Sequence, residues 1–451
     1  MIRYMMPGLL ILFSLLLPDT AFGDDPIVLH EMNVLTMEHD EIHSNYTVII
    51  TDGEIEWVGP SGDAPIPDDA EMIEGDYYVM PGLAEMHAHI PSADQGEQWM
   101  QDVLVMYLTQ GVTTIRGMLG QSAHLQLREQ AAEGEIISPR IFTSGPSFSG
   151  NSVENPEQAR QMVQDQADAG YDLLKFHPGL SVEEFEAITG EANRLDIEFS
   201  GHISLEVGLE RSLETGKGSI DHLDRYMEFL AGGPDDREDP PIIYFGYDLT
   251  PDVDDGRIEA AAQKTREAGV WNVPTNTLLH NVFNPELTPD IMREWPGMEY
   301  IPSDMTENWS NYVNNIRNSE DYDTDQARRF LELRDQLTLA LHEAEAGLML
   351  GADAPQIFNP PGFSAHRELE LFVDAGLTPF EALQTGTVNV ADYFDETGRS
   401  GKVAEGHRAD LILLSANPLE SVPFLDEIEG VISAGEYFDR RQLDQLLDEI
   451  E

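Results

Sequence analysis

The chain has 451 residues, of which 41% are hydrophobic, and a chain of this length can bury a large barrel core with a smaller domain beside it. It contains 84 Asp and Glu residues but only 25 Lys and Arg residues, so its formal net charge is −59. This charge argues against nucleic acids and anionic membrane surfaces as partners, because both are polyanions. It is typical of adaptation to a saline habitat, where salt screens the repulsion between carboxylates. The absence of Cys excludes a disulfide framework.

Residues 1–23 are typical of a signal peptide. Arg3 supplies a positive charge, residues 8–17 form an apolar run, and Ala21 and Gly23 are the small residues that a signal peptidase reads. A membrane-spanning helix needs about 20 apolar residues, roughly twice this run. We therefore predict an exported protein, periplasmic or extracellular, with no stable membrane insertion after cleavage. A retained N-terminal anchor is the alternative.

Both ends of the mature chain are predicted to form short β-strands separated by Gly and Asp turns. Their β-branched and aromatic residues suit a pleated, half-buried surface. The strand-like runs are residues 27–29, 46–50, 54–59, 409–414 and 428–435. Because the two ends of a folded unit usually lie close together, we predict one small β-sandwich domain built from residues 24–80 and 396–451.

Between these ends, strand-like and helix-like segments alternate. The strand-like segments are residues 111–116, 171–176, 197–202, 218–222, 270–275 and 347–353. Repeated βα units favour a parallel sheet, and their number predicts an α/β fold with a (β/α)8 barrel over residues 81–395. Residues 232–257, rich in Asp and Pro, are interpreted as surface padding. Residues 284–325, rich in Trp and Tyr, are either similar padding or an insertion that covers a substrate.

A short motif at the start of the predicted barrel indicates metal binding. Residues 76–80 read as a strand that a Pro-Gly pair interrupts, and His87 and His89 follow in extended backbone. Because side chains alternate along a strand, the two imidazoles lie on one face about 7 Å apart. Two imidazoles placed in this way can bind one metal ion from the same side. A chance pair of surface histidines is the alternative.

Four further residues with suitable chemistry lie at or near the ends of predicted strands. They are Lys175, His202, His222 and Asp353. Barrel enzymes carry their catalytic groups at the carboxyl ends of the strands, so we predict that these four meet His87 and His89 there. Singly, each has a structural alternative, such as a core His bonded to backbone or an Asp that caps a helix. The six in this order favour a metal centre, and imidazole with carboxylate suits Zn²⁺.

These motifs resemble the metal-dependent amidohydrolase superfamily across nearly the whole mature chain. The matching segments are residues 81–89, 173–176, 200–202, 220–222 and 351–355. Two later segments, residues 366–379 and 406–411, look most like its imidazolonepropionase-like and prolidase-like (Xaa-Pro dipeptidase) branch. The resemblance implies a (β/α)8 barrel with a small β-sandwich. Two departures, residues 115–117 and the long segment after Tyr226, weaken the transfer of substrate identity but not of the metal site.

The resemblance also implies two divalent metal ions, with zinc as the expected ion, and a carboxylated Lys175 between them. A buried lysine loses its proton readily, and the neutral amine can then add CO₂ to become a bridging carbamate. The implied ligands, besides Lys175, are His87, His89 and Asp353 for one ion and His202 and His222 for the other.

The expected reaction is hydrolysis of an amide or peptide-type C–N bond in a small molecule, by attack of a metal-bridging hydroxide. Dipeptide-like substrates are among the candidates. Asp353 is the predicted catalytic residue, because it can accept the proton and pass it to the leaving nitrogen. One alternative is hydrolysis of a cyclic amide, lactone or phosphotriester. A catalytically silent metal-binding scaffold is another, against which the presence of Lys175 and Asp353 argues.

Four further residues are predicted to contact the substrate. His177 has the same strand parity as Lys175, so it faces the barrel interior nearer the mouth. His366 follows the strand of Asp353 on the same rim, and Tyr226 and His280 are weaker candidates. For each, a role in packing is the alternative. The sequence sets no oligomeric state, so a homo-oligomer stays open.

Overall fold

The computed structural model describes residues 26–232, 245–420, 422 and 425–450. The predicted signal peptide lies outside the described residues, as do residues 233–244 of the Asp- and Pro-rich segment. Among the helices of the described part, none combines the length and the apolar character needed to cross a membrane.

The described strands and helices are named here in chain order. The strands are β1 (Ile27–Val34), β2 (His43–Thr51), β3 (Glu54–Pro60), β4 (Glu71–Glu74), β5 (Tyr78–Pro81), β6 (Leu83–Ala88), β7 (Val112–Gly117), β8 (Arg140–Thr143), β9 (Leu173–Phe176), β10 (Glu198–Gly201), β11 (Ser219–Asp221), β12 (Trp271–Val273), β13 (Leu411–Leu414), β14 (Ile428–Ser433) and β15 (Glu436–Asp439). The helices are α1 (Glu97–Thr109), α2 (Ser122–Ala132), α3 (Pro156–Ala169), α4 (Val182–Leu195), α5 (Gly208–Leu213), α6 (Tyr226–Leu230), α7 (Ile258–Ala268), α8 (Asn276–Phe283), α9 (Pro289–Met292), α10 (Ser303–Arg317), α11 (Thr324–Glu343), α12 (Phe363–Ala375), α13 (Pro379–Thr385), α14 (Val388–Tyr393) and α15 (Arg440–Asp448).

Eight parallel segments close into a barrel. β6 to β8 form one parallel group and β9 to β12 form another. Pairing of Ser144 with Leu173 joins the two groups. Residues 347–354 supply the eighth strand, because they pair with β12 on one side and, through Ala354 and Ala88, with β6 on the other. The predicted (β/α)8 barrel is confirmed.

The barrel strands are short and apolar because helices cover their outer faces. All four residues of β9 are buried, and Lys175 is the one charged side chain among them. The following helices begin at suitable caps: Asn155 accepts two backbone N–H groups of α3, and Ser181 with Glu184 forms a capping box on α4. Strands therefore end, and helices begin, at the same face of the barrel.

Strands from both chain ends pair into one eight-stranded sheet. Its order is β15-β14-β13-β5-β1-β2-β3, with β4 beside β1. β13 is antiparallel to β5, with Ile412 opposite Met80, so the C-terminal strands continue the N-terminal ones. Leu29, Val48 and Leu413 belong to the core on this sheet. Both chain ends thus contribute strands to one sheet. The domain limits at residues 80 and 396 remain predictions from the sequence.

The aromatic-rich segment, residues 284–325, is largely helical. Met292 and Trp309 on α9 and α10 pack in one apolar cluster with Phe358, which follows the eighth strand. The ring of Trp309 lies 5.7 Å from that of Phe358. The segment therefore supports the chain that leads away from Asp353.

Candidate metal centre

The six predicted metal ligands lie at the carboxyl ends of barrel strands. His87 is in β6, and His89 follows that strand directly. Lys175 is in β9, while His202 and His222 come immediately after β10 and β11. Asp353 lies near the end of the eighth strand, where its backbone N–H donates to the carbonyl of His87 at 3.0 Å. This is the face on which barrel enzymes carry their chemistry.

Three of these side chains converge on one point. The candidate ligand atoms of His87, His89 and Asp353 all lie within 4.8 Å of one another. Oδ1 of Asp353 is 2.6 Å from Nε2 of His89 and 3.5 Å from Nε2 of His87. Burial alone would raise the pKa of Asp353, but the two imidazoles hold it far below its ordinary value. Asp353 is therefore ionised at neutral pH and available as a ligand.

His202 and His222 form the adjoining half of the centre. Their ring centres are 4.5 Å apart, and the ring of His222 is also 4.5 Å from that of His87. Nδ1 of His202 donates to Oδ2 of Asp224 at 2.9 Å, and Nδ1 of His222 lies 2.8 Å from Oγ1 of Thr275. With each Nδ1 engaged by a neighbour, each Nε2 is left as the ligand atom, as in most protein metal sites.

Lys175 lies beneath these imidazoles and is completely buried. Its Nζ is 3.4 Å from Nε2 of His87 and 3.4 Å from Oδ2 of Asp221. Burial lowers the pKa of Lys175, which favours the neutral amine. Gly201, with φ of +111°, makes room for this side chain, because a Cβ there would lie 2.8 Å from Cδ of Lys175. The Gly before His202 is therefore part of the construction of the centre.

Two of the predicted ligands have left-handed backbone conformations. His222 has φ of +62° and Asp353 has φ of +64°, a region that residues other than Gly adopt uncommonly, although Asn, Asp and His do so more often than the rest. The backbone N–H of His222 donates to the carbonyl of Val273 at 2.9 Å and so holds the strained position. Such strain is maintained only where surrounding contacts fix it, and it is concentrated at functional sites.

The four predicted substrate contacts separate into two groups. The ring of His177 stacks on that of His202 at 4.9 Å, and burial with nearby Lys175 lowers the pKa of His177 to about 2. In contrast, Nε2 of His366 lies 2.9 Å from the carbonyl of Gln110, before β7 begins. Among the four, only His177 has a described contact with a predicted ligand.

The other two predicted substrate contacts, Tyr226 and His280, contact residues of the surrounding strands and helices. The hydroxyl of Tyr226 is 2.7 Å from Thr265 and donates to Asn272 at 2.9 Å. Nε2 of His280 is 3.7 Å from the carboxylate of Asp335. In the described part of the chain, both side chains therefore contact residues outside the metal centre.

The structure also brings to the centre residues to which the sequence assigned no role. Oδ2 of Asp221 lies 2.9 Å from Nδ1 of His87, and the ring of Phe245 is 5.4 Å from that of His222. Asp221 directly precedes His222, and its negative charge in a predicted strand was a usable signal. Phe245 lies within residues 232–257, the segment interpreted as padding, and nothing in its sequence context marks it.

The donor set fits a divalent ion of the Zn²⁺ type. Imidazole nitrogens with one carboxylate, and no thiolate, are ligands that such ions accept. Burial lowers the pKa of His87 to about 4, so this imidazole is neutral and can bind a cation at neutral pH. The buried side chains that converge here therefore suit metal ions.

Comparison with known proteins places the chain among hydrolases. The sequence profile described as the amidohydrolase family matches residues 78–437. A putative prolidase from Bifidobacterium longum is 25% identical, with a TM-score of 0.67 over 95% of this chain and 99% of that one. A bottromycin amidohydrolase is 23% identical, with a TM-score of 0.70 over 93% and 88% of the two chains. Ochratoxinase from Aspergillus niger is 22% identical over 421 residues, 86% of this chain and 81% of its own.

Proposed function

We propose that this chain, which belongs to the amidohydrolase family, hydrolyses an amide or peptide-type C–N bond of a small molecule with the help of two divalent metal ions. Membership of the family, together with the hydrolases that the chain resembles, establishes the class of enzyme, a metal-dependent hydrolase acting on C–N bonds. Two ions, and zinc as their identity, are part of the proposal.

The observation that carries the proposal is the convergence of His87, His89 and Asp353 beside two further imidazoles and a buried lysine. A structural role does not require ionisable side chains to be gathered in the interior, where each must be paired. A pair of cations would compensate the carboxylates and use the lone pairs of the imidazoles. The proposed binding sets are His87, His89 and Asp353 for one ion and His202 and His222 for the other, with Lys175 shared.

Lys175 is proposed to carry the carboxylate that joins the two halves. Its Nζ lies beside His87, it is completely buried, and its lowered pKa favours the neutral amine that CO₂ requires. As an ammonium it would place a positive charge next to two cations. As a carbamate it would supply the negative charge that the His202 and His222 half otherwise lacks.

When bound, the two ions would lower the pKa of a water between them and polarise the scissile carbonyl. Asp353 would accept the proton of the attacking water while the C–O bond forms, and would return it to the nitrogen as the C–N bond breaks. Its carboxylate is oriented for this by Gln356, which donates to Oδ2 at 2.8 Å. The rings of His177 and Phe245 lie beside those of His202 and His222, and both would contact the substrate.

Linear, dipeptide-like amides are the proposed substrates. This choice is supported by the relatives, which are named a prolidase, a bottromycin amidohydrolase and an ochratoxinase. The test is a panel of dipeptides, N-acyl amino acids, hydantoin-like rings and lactones on metal-loaded protein in high salt. The expected result is release of amine from linear amides, slower by roughly 10² to 10⁴-fold in a metal-loaded Asp353→Asn control. Cleavage of lactones alone would contradict the proposed bond type.

We also propose that the mature protein begins near Asp24 and acts outside the cytoplasm. The supports are the apolar run at residues 8–17 and the small residues before Asp24. N-terminal sequencing of protein recovered from the culture medium or periplasm is expected to start at or near Asp24. A start at Met1 would contradict cleavage.

A further inference from the structure

Below the metal centre, the barrel interior holds a fully buried ion pair. Arg116 on β7 and Asp221 on β11 are both completely buried. One guanidinium nitrogen of Arg116 lies 3.4 Å from Oδ1 of Asp221. The same oxygen accepts a hydrogen bond of 2.9 Å from the hydroxyl of Ser219. Neither residue is a predicted metal ligand, so the pair needs an explanation of its own.

The guanidinium of Arg116 is fixed on several sides. Its Nε donates to the carbonyl of Met86 at 2.8 Å, and its two terminal nitrogens donate to Tyr393 at 2.7 Å and Ser219 at 3.0 Å. A buried arginine held by so many acceptors has one available position. It therefore holds Oδ1 of Asp221 in one place as well.

The second oxygen of Asp221 faces two predicted ligands. Oδ2 lies 2.9 Å from Nδ1 of His87 and 3.4 Å from Nζ of Lys175. At this distance a negative carboxylate repels a lone pair and attracts an N–H group, so it favours the tautomer of His87 with the proton on Nδ1. The lone pair is then on Nε2, the atom that faces Asp353 at 3.5 Å.

We propose that Arg116 and Asp221 are positioning residues for the metal centre, and that Arg116 orients Asp221 so that His87 presents Nε2 to the metal ion. This inference rests on the proposed function only in taking His87 as a ligand. Both side chains are completely buried, so their proposed role is to position and not to react.

The same contacts have a consequence for Lys175. Arg116 holds Oδ1 of Asp221, and Oδ2 of the same carboxylate faces both His87 and Lys175. Without Arg116, the buried carboxylate would lose the partner that fixes its position, and its contacts with both side chains would change. Loss of Arg116 is therefore expected to weaken both halves of the centre, although the guanidinium contacts neither ion.

The test measures zinc binding by metal-free protein in competition with a chromogenic chelator, which needs no substrate. Asp221→Asn and Arg116→Met are expected to bind zinc 10- to 100-fold more weakly, the range for residues that orient metal ligands. Arg140→Met is the matched control, because it removes an arginine of the neighbouring strand β8 whose ion-pair partner is Glu396 and not a predicted ligand, and it is expected to bind as the wild type does. Arg116→Lys, which keeps the charge, is expected to recover part of the affinity.

Two further readouts separate positioning from general damage. If Arg116 acts through Asp221, the double variant Arg116→Met with Asp221→Asn binds zinc no more weakly than the worse single variant. The ¹⁵N NMR signals of the His87 ring are expected to report the Nδ1–H tautomer in the wild type and loss of that preference in Asp221→Asn. If Arg116→Met does not fold, Asp221→Asn and Arg116→Lys still decide the question.

Wild-type zinc affinity in a folded Asp221→Asn variant, with an unchanged His87 tautomer, would overturn the inference. An additive loss in the double variant would overturn the part assigned to Arg116. A wild-type protein that binds zinc normally but cleaves no amide would refute the proposed function and leave this inference intact.

Discussion

The candidate metal centre and the outer surface differ in how their charged side chains are paired and exposed. At the centre, carboxylates are buried and each faces a specific partner: Asp221 faces Arg116 and His87, and Asp353 faces His89. At the surface, acids outnumber cations, and pairs such as Glu157 with Arg160 are 3.9 Å apart with the carboxylate 95% exposed. Salt screens such exposed pairs, and each contributes little to stability.

The difference teaches where single residues matter. Interior electrostatics depend on a few atoms at fixed distances, so one substitution is expected to have a large effect and salt a small one. Surface electrostatics are a sum over many carboxylates, so one substitution is expected to have little effect and salt a measurable one. The following predictions test this contrast.

Lys175→Ala is expected to have the largest effect. It removes the proposed bridge, so one of two metal ions should be lost together with the activity that depends on both. Metal content by mass spectrometry checks this, and Lys264→Ala is the control, because Lys264 pairs with Glu210 on the surface and with no predicted ligand. Bicarbonate should not restore the second ion, whereas an added short-chain carboxylic acid should restore part of it. Two ions retained in Lys175→Ala would remove the bridge from the proposal.

Asp353→Asn is expected to lower turnover by roughly 10² to 10⁴-fold, as for other general acid–base groups, while most of the metal is retained. Asparagine keeps the size and one oxygen ligand but cannot accept the proton. Steady-state kinetics on the best amide substrate, with metal content measured in parallel, check this. Asp172→Asn, which disturbs a pair with Arg128 away from the centre, is the control and should turn over normally. Near-normal turnover in Asp353→Asn would leave His177 as the next candidate for proton transfer.

His366 sharpens the contrast, because it is a buried histidine whose Nε2 contacts the backbone carbonyl of Gln110. Burial lowers its pKa to about 4, so the folded protein keeps it neutral where the unfolded chain, with a pKa near 6.5, takes up a proton. Its contribution to stability is complete above pH 6.5 and is lost as the pH falls towards 4.

The measurement for His366 is the free energy of unfolding of wild type and His366→Gln between pH 7 and 4. Glutamine keeps a hydrogen-bond donor but does not titrate, so the difference between the two should change by up to about 3 kcal/mol across this range. The other histidines are common to both proteins and cancel. A pH-independent difference, together with a raised KM for the substrate, would instead support the predicted contact with substrate.

The smallest effect per group is expected at the surface. With a net charge of −59, added salt should raise the melting temperature by screening the carboxylates. For a chain of this length, each kcal/mol gained raises the melting temperature by only about 2 °C. Melts across potassium chloride concentrations, with metal saturating, test this, and sucrose is the control because it favours compact states without screening charge. A melting temperature that is flat or falls with salt would refute the interpretation of a saline habitat.

Local patterns in the sequence predicted the α/β barrel and the β-structure shared by the two ends. Alternating strand and helix signals depend on residues close in the chain, so a periodicity is enough to recognise them. β9 illustrates this, because its four residues read as a strand and are all buried. The six proposed ligands were also found from local context, since each lies in a short motif at or near the end of a predicted strand.

The same reasoning could not separate His177 from His366, Tyr226 and His280. All four occupy positions in the sequence that suit a contact with substrate. They differ in the partners that the fold gives them, and only His177 stacks on a predicted ligand. Phe245 was missed for the same reason. Phe245 lies outside the strands that precede His202 and His222. Its ring comes close to both only because the folded chain returns to them.

By itself, then, the sequence determined the type of fold, the order of the proposed ligands and the excess of negative charge, because these are properties of composition and of local spacing. Only the tertiary structure decided which buried charges face one another. Arg116 and Asp221 are 105 residues apart, and their contact exists because β7 and β11 point polar side chains into the same barrel interior. Distances between atoms of distant strands are set by the closure of the barrel, and no local pattern of residues contains them.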